Sequence, residues 1–207
     1  ETEAIQRTAH ALGQTDVLAA LAERALTLRY VRPVMTEGDA INILDFPFFR
    51  NNPGDSGRFI NTTSVITRDP EMGINFGTYR CELKGPRHIA VGSGEGQTGY
   101  TMLMRAKERG ETMVPVTLIV GMDPMVWLVS GSRVTSRRGK KPVDELAIAG
   151  GLRGKAIEVV KCDTNDFRVP ASCETVIEGE VQLDGFEVNG PYGEGSGYIG
   201  APYDTAF

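Results

Sequence analysis

Cysteine is scarce in this chain. Three residues, Cys81, Cys162 and Cys173, stand among 207 and show no metal-type spacing. That excludes a disulfide scaffold and a thiolate zinc site, and it suits a reducing compartment. Histidine is scarcer still, with His10 and His88 alone. Long apolar runs are missing. The best stretch, 114–129, is broken by Asp123-Pro124 and falls short of the roughly 18 residues that a membrane helix needs. A basic excess is missing too: the net charge of −5 argues against a dedicated nucleic-acid binder. The glycine-rich run Gly92-Ser93-Gly94-Glu95-Gly96 does not go on to complete a phosphate loop. No signal peptide is read, and Glu1 rather than Met stands first, so a trimmed or processed start is expected. A cytoplasmic location is the matching expectation.

What is present reads as an ordinary globular protein, 41% apolar and 24% charged. A chain of this length buries roughly 70% of its unfolded surface and needs no staple. The 25 glycines favour a turn-rich architecture over a helical bundle. Residues 1–30 are predicted as a helical lead-in, with Val17, Leu18, Leu21, Ala25 and Leu28 at helical spacing. From residue 31 the period changes to two. Strands are predicted at 31–35, 58–68, 74–83, 87–91, 114–120, 156–161 and 174–183, with the second and third joined as a hairpin by Asp69-Pro70-Glu71-Met72-Gly73. Helices are predicted at 98–109, after Asp123-Pro124, and at 142–149, the last ended by Gly150-Gly151. The basic stretch 132–141 and the glycine-rich tail 185–203 read as loops. No repeat or linker divides 31–207. The class expected is α+β and strand-dominated, with helices around a barrel or curled sheet.

Several polar groups are candidates for chemistry. Asn75 and Arg80 lie on a predicted strand and face opposite ways if it is regular, although a bulge at Gly77 would bring both to one site. By spacing alone they are equally a turn asparagine and a surface arginine. His88 is a ligand candidate or an ordinary satisfied histidine. Glu145, after Asp144 at a helix start, complements the helix dipole or serves as a hard metal ligand. An oxygen–nitrogen–oxygen set of Asn, His and Glu suits Mn²⁺ or Mg²⁺, completed by a phosphate. Glu194 lies in the turn-rich Asn189-Gly190-Pro191-Tyr192-Gly193-Glu194, and the local reading there is a solvated carboxylate.

In order along the chain, TRDPEMGINFGTYR, RHI, VPVTLIVGMDP, VDELAIAGGLRG, VVKCDTND, VPASCETVIEGE and NGPYGEGSGY resemble the UbiD family of reversible decarboxylases. The likeness runs from about residue 40 to the C-terminus. It implies a central domain like the split β-barrel of flavin reductases, within a family whose members add an N-terminal α/β region and a C-terminal domain. It implies prenylated FMN as cofactor, held through Mn²⁺ (or Mg²⁺) with K⁺ nearby. By motif position Asn75, His88 and Glu145 match the metal ligands. Phe76, Gly77, Thr78, Tyr79 and Arg87, together with Ser130, Gly131, Ser132 and Arg133, would line the flavin and its phosphate. Arg80 matches the arginine that grips the substrate carboxylate, and Glu194 the proton donor. The usual EGPFGE stands here as NGPYGE, so Asn189 replaces a carboxylate of the catalytic network; as an amide it is expected still to hydrogen-bond Arg80.

The function so implied is reversible, non-oxidative decarboxylation of an aromatic, heteroaromatic or α,β-unsaturated acid. The partners implied are that acid and CO₂, a flavin prenyltransferase supplying the cofactor, and further copies or a partner chain. Two other readings stand beside it: a flavin-binding or oligomer-forming subunit without turnover of its own, and a flavin reductase on a similar barrel, which leaves Arg80 and Glu194 unexplained.

Overall fold

The computed structural model describes residues 35–132 and 144–206, the last four by their backbone alone. The helical lead-in, His10, Arg133 and most of the basic stretch lie outside the described residues. The chain forms two compact units, one ending at Ile41 and the other running from Asn42. Every strand and helix that positions the site belongs to the second.

Thirteen strands are described: β1 (Phe59–Ile60), β2 (Ser64–Asp69), β3 (Gly73–Thr78), β4 (Cys81–Gly85), β5 (His88–Val91), β6 (Met113–Val120), β7 (Val159–Lys161), β8 (Arg168–Pro170), β9 (Thr175–Gln182), β10 (Glu187–Asn189), β11 (Tyr192–Gly193), β12 (Ile199–Gly200) and β13 (Tyr203–Ala206). Three helices join them: α1 (Thr98–Glu108), α2 (Pro124–Ser130) and α3 (Glu145–Arg153). Every ladder between these strands is antiparallel. The main sheet has the order β3-β2-β6-β9 and a second has the order β1-β4-β5, with three two-stranded ribbons beside them. The strand-dominated α+β class expected from the sequence is therefore present. The ladders among the described residues do not link into a closed ring.

The predicted hairpin exists, but each of its arms breaks in two. Asn61, Thr62 and Thr63 separate β1 from β2, and Tyr79 and Arg80 separate β3 from β4. Three residues thus stand opposite two, between the pairs Ile60↔Cys81 and Ser64↔Thr78. One extra residue on one strand forces a local bend, as in a β-bulge. Here the bend passes both arms from the main sheet to the second. Gly77, the bulge position expected from the sequence, sits in regular pairing with Val65. The tail 185–203, read as loop, holds three of the short strands because its glycines and prolines cut them to two or three residues.

The principal core lies between the main sheet and α2 and α3. It gathers Ile66, Phe76, Ile119, Val126, Val129, Ala149 and Phe167, all 3% exposed or less. The buried stripe of α1 is Gly99, Met102, Leu103 and Ala106. Asp123 caps α2 by accepting from the Met125 N–H at 2.9 Å. The helix α3 runs through Gly150-Gly151 instead of stopping there. A Cβ at Gly150 would meet the Lys155 carbonyl at 3.2 Å, so that glycine serves close approach of the returning chain. The left-handed residue that ends α3 is Gly154, at φ 66°.

At the tip of β2–β3, the buried Asp69 carboxylate accepts from the Glu71 and Met72 N–H groups at 3.0 and 2.9 Å. It also accepts from Arg105 Nε at 3.3 Å and Arg109 Nη1 at 2.6 Å, both on or just past α1. Burial alone would raise its pKa. The amides and guanidinium groups outweigh burial and hold it down to about 2. A carboxyl depressed below its unfolded value of about 3.9 stabilises the fold above that value, and the contribution is lost as pH falls towards 2.

Asp69→Asn removes the charge from these hydrogen bonds and is expected to cost about 2 kcal/mol at pH 7. In urea unfolding, the gap between wild type and variant should narrow as pH falls from 5 to 2; a gap independent of pH refutes the clamp. Phe76→Ala empties a core position and is expected to cost about 3–5 kcal/mol by the same measurement.

Candidate active site

The bend between β3 and β4 sets two adjacent side chains in different directions. Tyr79 turns inward and is 5% exposed. Its ring covers Gly77 and its hydroxyl lies against Gly99; a Cβ at either glycine would come within 2.6 Å of it. The hydroxyl accepts from the Gly99 N–H at 3.0 Å and, at a long 3.5 Å, from Asn75 Nδ2. Burial pushes the Tyr79 phenol up, and the negative charge of Glu145 adds to that rise. Asn75 and Glu145 are 4% and 5% exposed, Asn75 midway along the edge strand β3 and Glu145 at the start of α3.

Arg80 turns the other way. Its Nη1 donates to Glu194 Oε1 at 2.8 Å across 114 positions of sequence. The guanidinium stacks over the Tyr192 ring, 4.6 Å from its centroid, and that ring meets Phe59 edge-on at 4.9 Å. The Arg80 side chain is 15% exposed and that of Glu194 48%, so the guanidinium is the more buried of the pair.

Between β10 and β12 the loop that carries Glu194 is gripped by its backbone. The Gly190 N–H donates to Glu82 Oε2 at 2.8 Å, and the Gly193 N–H to Asp55 Oδ1 at 2.7 Å. The Pro191 carbonyl accepts from the Ser56 N–H at 2.9 Å. Neither carboxylate stands out in the sequence. Asp55 has the look of an ordinary turn residue. The one available signal for Glu82 is an acidic side chain between Cys81 and Leu83, two residues that a strand buries.

The other expected site residues divide. Thr78 and Ser130 are joined, Oγ1 to Oγ at 2.7 Å, and Ser130 also meets Ser64 Oγ at 2.7 Å. Gly131 and Ser132 follow Ser130 at the end of α2. Phe76 is buried in the core, and Tyr79, also buried, lines a small cavity with Thr67, Ser93 and Gly99. Arg87 is exposed. Asn189 is fully buried, and its Nδ2 donates to the Ala90 carbonyl at 2.8 Å. Its Oδ1 accepts no hydrogen bond, so the expected amide bond to Arg80 is not made.

His88 lies on the second sheet, opposite Gly85 at a register shift, with a side chain 63% exposed and Nε2 at 2.9 Å from Glu187 Oε2, whereas Asn75 belongs to the main sheet and Glu145 starts α3. Among the described residues no three His, Cys, Asp or Glu side chains come together as a ligand set. Asn75, buried against Thr67 and Tyr79, and Thr78, joined to Ser130, lie on opposite faces of the edge strand β3.

The phenolic acid decarboxylase of Escherichia coli O157:H7 is 32% identical over 168 residues, 78% of this chain and 34% of that protein. The UbiD-class enzyme HmfF from Pelotomaculum thermopropionicum, solved with FMN and, as an evolved dimeric form, with prFMN, is 32% identical. In both forms the TM-score is 0.73 and the match covers 81% of this chain; it covers 37% of the FMN form and 38% of the prFMN form. The closed form of vanillic acid decarboxylase from Sedimentibacter hydroxybenzoicus is 27% identical with a TM-score of 0.75, over 82% of this chain and 36% of that one. The chain spans about a third of the length of the curated relatives it matches. The family model described as UbiD, 3-octaprenyl-4-hydroxybenzoate carboxy-lyase Rift-related domain, matches residues 28–206, and the chain belongs to that family.

Proposed function

We propose that this chain is the cofactor-binding part of a reversible decarboxylase that uses prenylated FMN and acts on an aromatic, heteroaromatic or α,β-unsaturated carboxylic acid. The observation that carries the reading is the Arg80–Glu194 pair, a half-exposed carboxyl held 2.8 Å from a guanidinium by an otherwise remote loop. The phenolic acid decarboxylase name of one relative and the FMN and prFMN bound by HmfF support it.

Each residue has a task that its chemistry suits. Arg80 takes the substrate carboxylate, for which a planar fork of N–H donors is matched. When the C–C bond breaks, CO₂ leaves and the electron pair stays on the former acid's carbon. No protein side chain delocalises such a pair; bound prenylated FMN supplies the electron sink. Glu194, protonated, then gives its proton to that carbon and is left as carboxylate, and in carboxylation the steps reverse. Tyr192 fixes the plane of the guanidinium. Asn75 and Glu145, with Thr78 and Ser130, would hold the flavin phosphate through Mn²⁺ or Mg²⁺, with K⁺ as a further ion; His88, paired with Glu187, would have to turn to join them.

The two sheets are proposed to correspond to the split barrel of flavin reductases. Copies of the chain are proposed to associate, as one HmfF form is dimeric. A flavin prenyltransferase supplies the cofactor. Three free thiols suit the reducing cytoplasm. The second reading is a flavin-binding piece with no turnover of its own.

The test uses the native gene product coexpressed with a flavin prenyltransferase. The holo protein should show flavin absorbance, bound divalent ion and release of CO₂ from a cinnamic- or hydroxybenzoic-type acid. Flavin without turnover selects the second reading. Glu194→Gln should keep its flavin and lose about 10²–10⁴-fold in kcat. Near-normal turnover would remove Glu194 from its role. On metal analysis, Glu145→Gln should lose the ion and His88→Ala should keep it.

A further inference from the structure

The loop that presents Glu194 is anchored by groups that touch no reacting atom. Glu82 is 3% exposed and Asp55 2%. Glu82 divides its oxygens: Oε2 takes the Gly190 N–H and Lys84 Nζ, each at 2.8 Å, while Oε1 takes Ser56 Oγ at 2.7 Å. Asp55 does the same, with Oδ1 on the Gly193 N–H and Oδ2 on the N–H groups of Asn51 and Asn52 at 3.0 and 2.9 Å. Ser56 links the two, since its N–H holds the Pro191 carbonyl and its hydroxyl holds Glu82.

Both anchored glycines precede Glu194 in the chain. Gly190 lies four residues before Glu194, and Gly193 directly before it. Glu82 sits two residues after Arg80, on the strand that Arg80 leads into, so one short stretch carries the guanidinium and the clamp that sets its partner. Gly190 adopts φ 98°, which glycine allows without strain. At Gly193 a Cβ would collide with Asn52 Nδ2 at 2.1 Å. Both donors therefore reach their carboxylates only with bare backbone at those positions.

We propose that Glu82 and Asp55 are positioning residues for decarboxylation: they fix the backbone of 190–193 so that the Glu194 carboxyl faces Arg80. This rests on the decarboxylase reading of Arg80 and Glu194. Buried charge-assisted hydrogen bonds are strong, and removing the acceptor leaves a buried N–H unsatisfied. The loop then has no fixed place, and a misplacement of about 1 Å in a proton donor costs on the order of 10²-fold in rate.

The experiment compares wild type, Glu82→Ala, Glu82→Gln and Ser56→Ala in the native gene product, by peptide-resolved amide hydrogen exchange and by decarboxylation with flavin content. In Glu82→Ala the peptide spanning 186–198 should exchange at least tenfold faster, while peptides from β2, β6 and β9 keep wild-type protection. Its kcat should fall about 10²-fold with KM and flavin content little changed. Glu82→Gln keeps a carbonyl oxygen for the Gly190 N–H and should restore both readouts to within about threefold. Ser56→Ala, which frees one Glu82 oxygen, should fall between. Unchanged exchange at 186–198 in Glu82→Ala and Ser56→Ala overturns the proposal, as does fast exchange with normal kcat. If Glu82→Ala loses protection in β2 and β6 as well, Ser56→Ala and Glu82→Gln decide. If wild type has no turnover, the decarboxylase reading fails, while exchange still decides whether Glu82 holds the loop.

Discussion

The bend at 61–63 opposite 79–80 is the constraint on which the rest depends. A regular strand would put Tyr79 and Arg80 on opposite faces of one sheet, each competing for its own partner. The bend instead ends one sheet at Thr78 and starts another at Cys81. Tyr79 goes into the interior, where Gly77 and Gly99 leave room for its ring. Arg80 reaches the neighbouring ribbon, where Tyr192 and Glu194 meet it. An arginine so placed, little exposed, would be costly without a carboxylate. The pairing is thus a demand of the fold before it is an asset of the chemistry.

Buried carboxylates serve that arrangement. Asp69 fastens the hairpin tip to α1, accepting from the Glu71 and Met72 N–H groups and pairing with Arg105 and Arg109, which also meet Glu71 and Glu111. Asp55 accepts from three backbone N–H groups, whereas Glu82 divides its oxygens among the Gly190 N–H, Ser56 Oγ and Lys84 Nζ. Each of the three takes backbone N–H groups, so each holds a conformation as well as a contact.

Much of this is legible in the sequence. The hairpin around Asp69–Gly73, the Asp123-Pro124 helix start and the pairing of Arg80 with Glu194 are all expected from residue order or resemblance. The break at 79–80 is not, because nothing in Gly77-Thr78-Tyr79-Arg80 signals an extra residue on the opposite strand; that extra residue comes from Asn61-Thr62-Thr63. The placement of His88 has a related cause. A short strand with a register shift at Gly85 turns His88 outward, and motif order carries no information about shifts. The end of α3 lies beyond its expected place because Gly150 serves close packing while Gly154 serves the turn, and the two uses look alike in a string of letters.

The backbone grip on the 190–193 loop also bears on how such a site changes over generations. Asp55, Glu82 and Ser56 recognise amides and a carbonyl, which every substitution short of proline preserves. Gly190 and Gly193 are held to glycine by conformation and crowding. The side chains at 189 and 192 add to that grip: Asn189 Nδ2 holds the Ala90 carbonyl at 2.8 Å, and the Tyr192 ring packs on Phe59 and against the Arg80 guanidinium. A change at either position therefore alters the support of Glu194 together with the surroundings of Arg80.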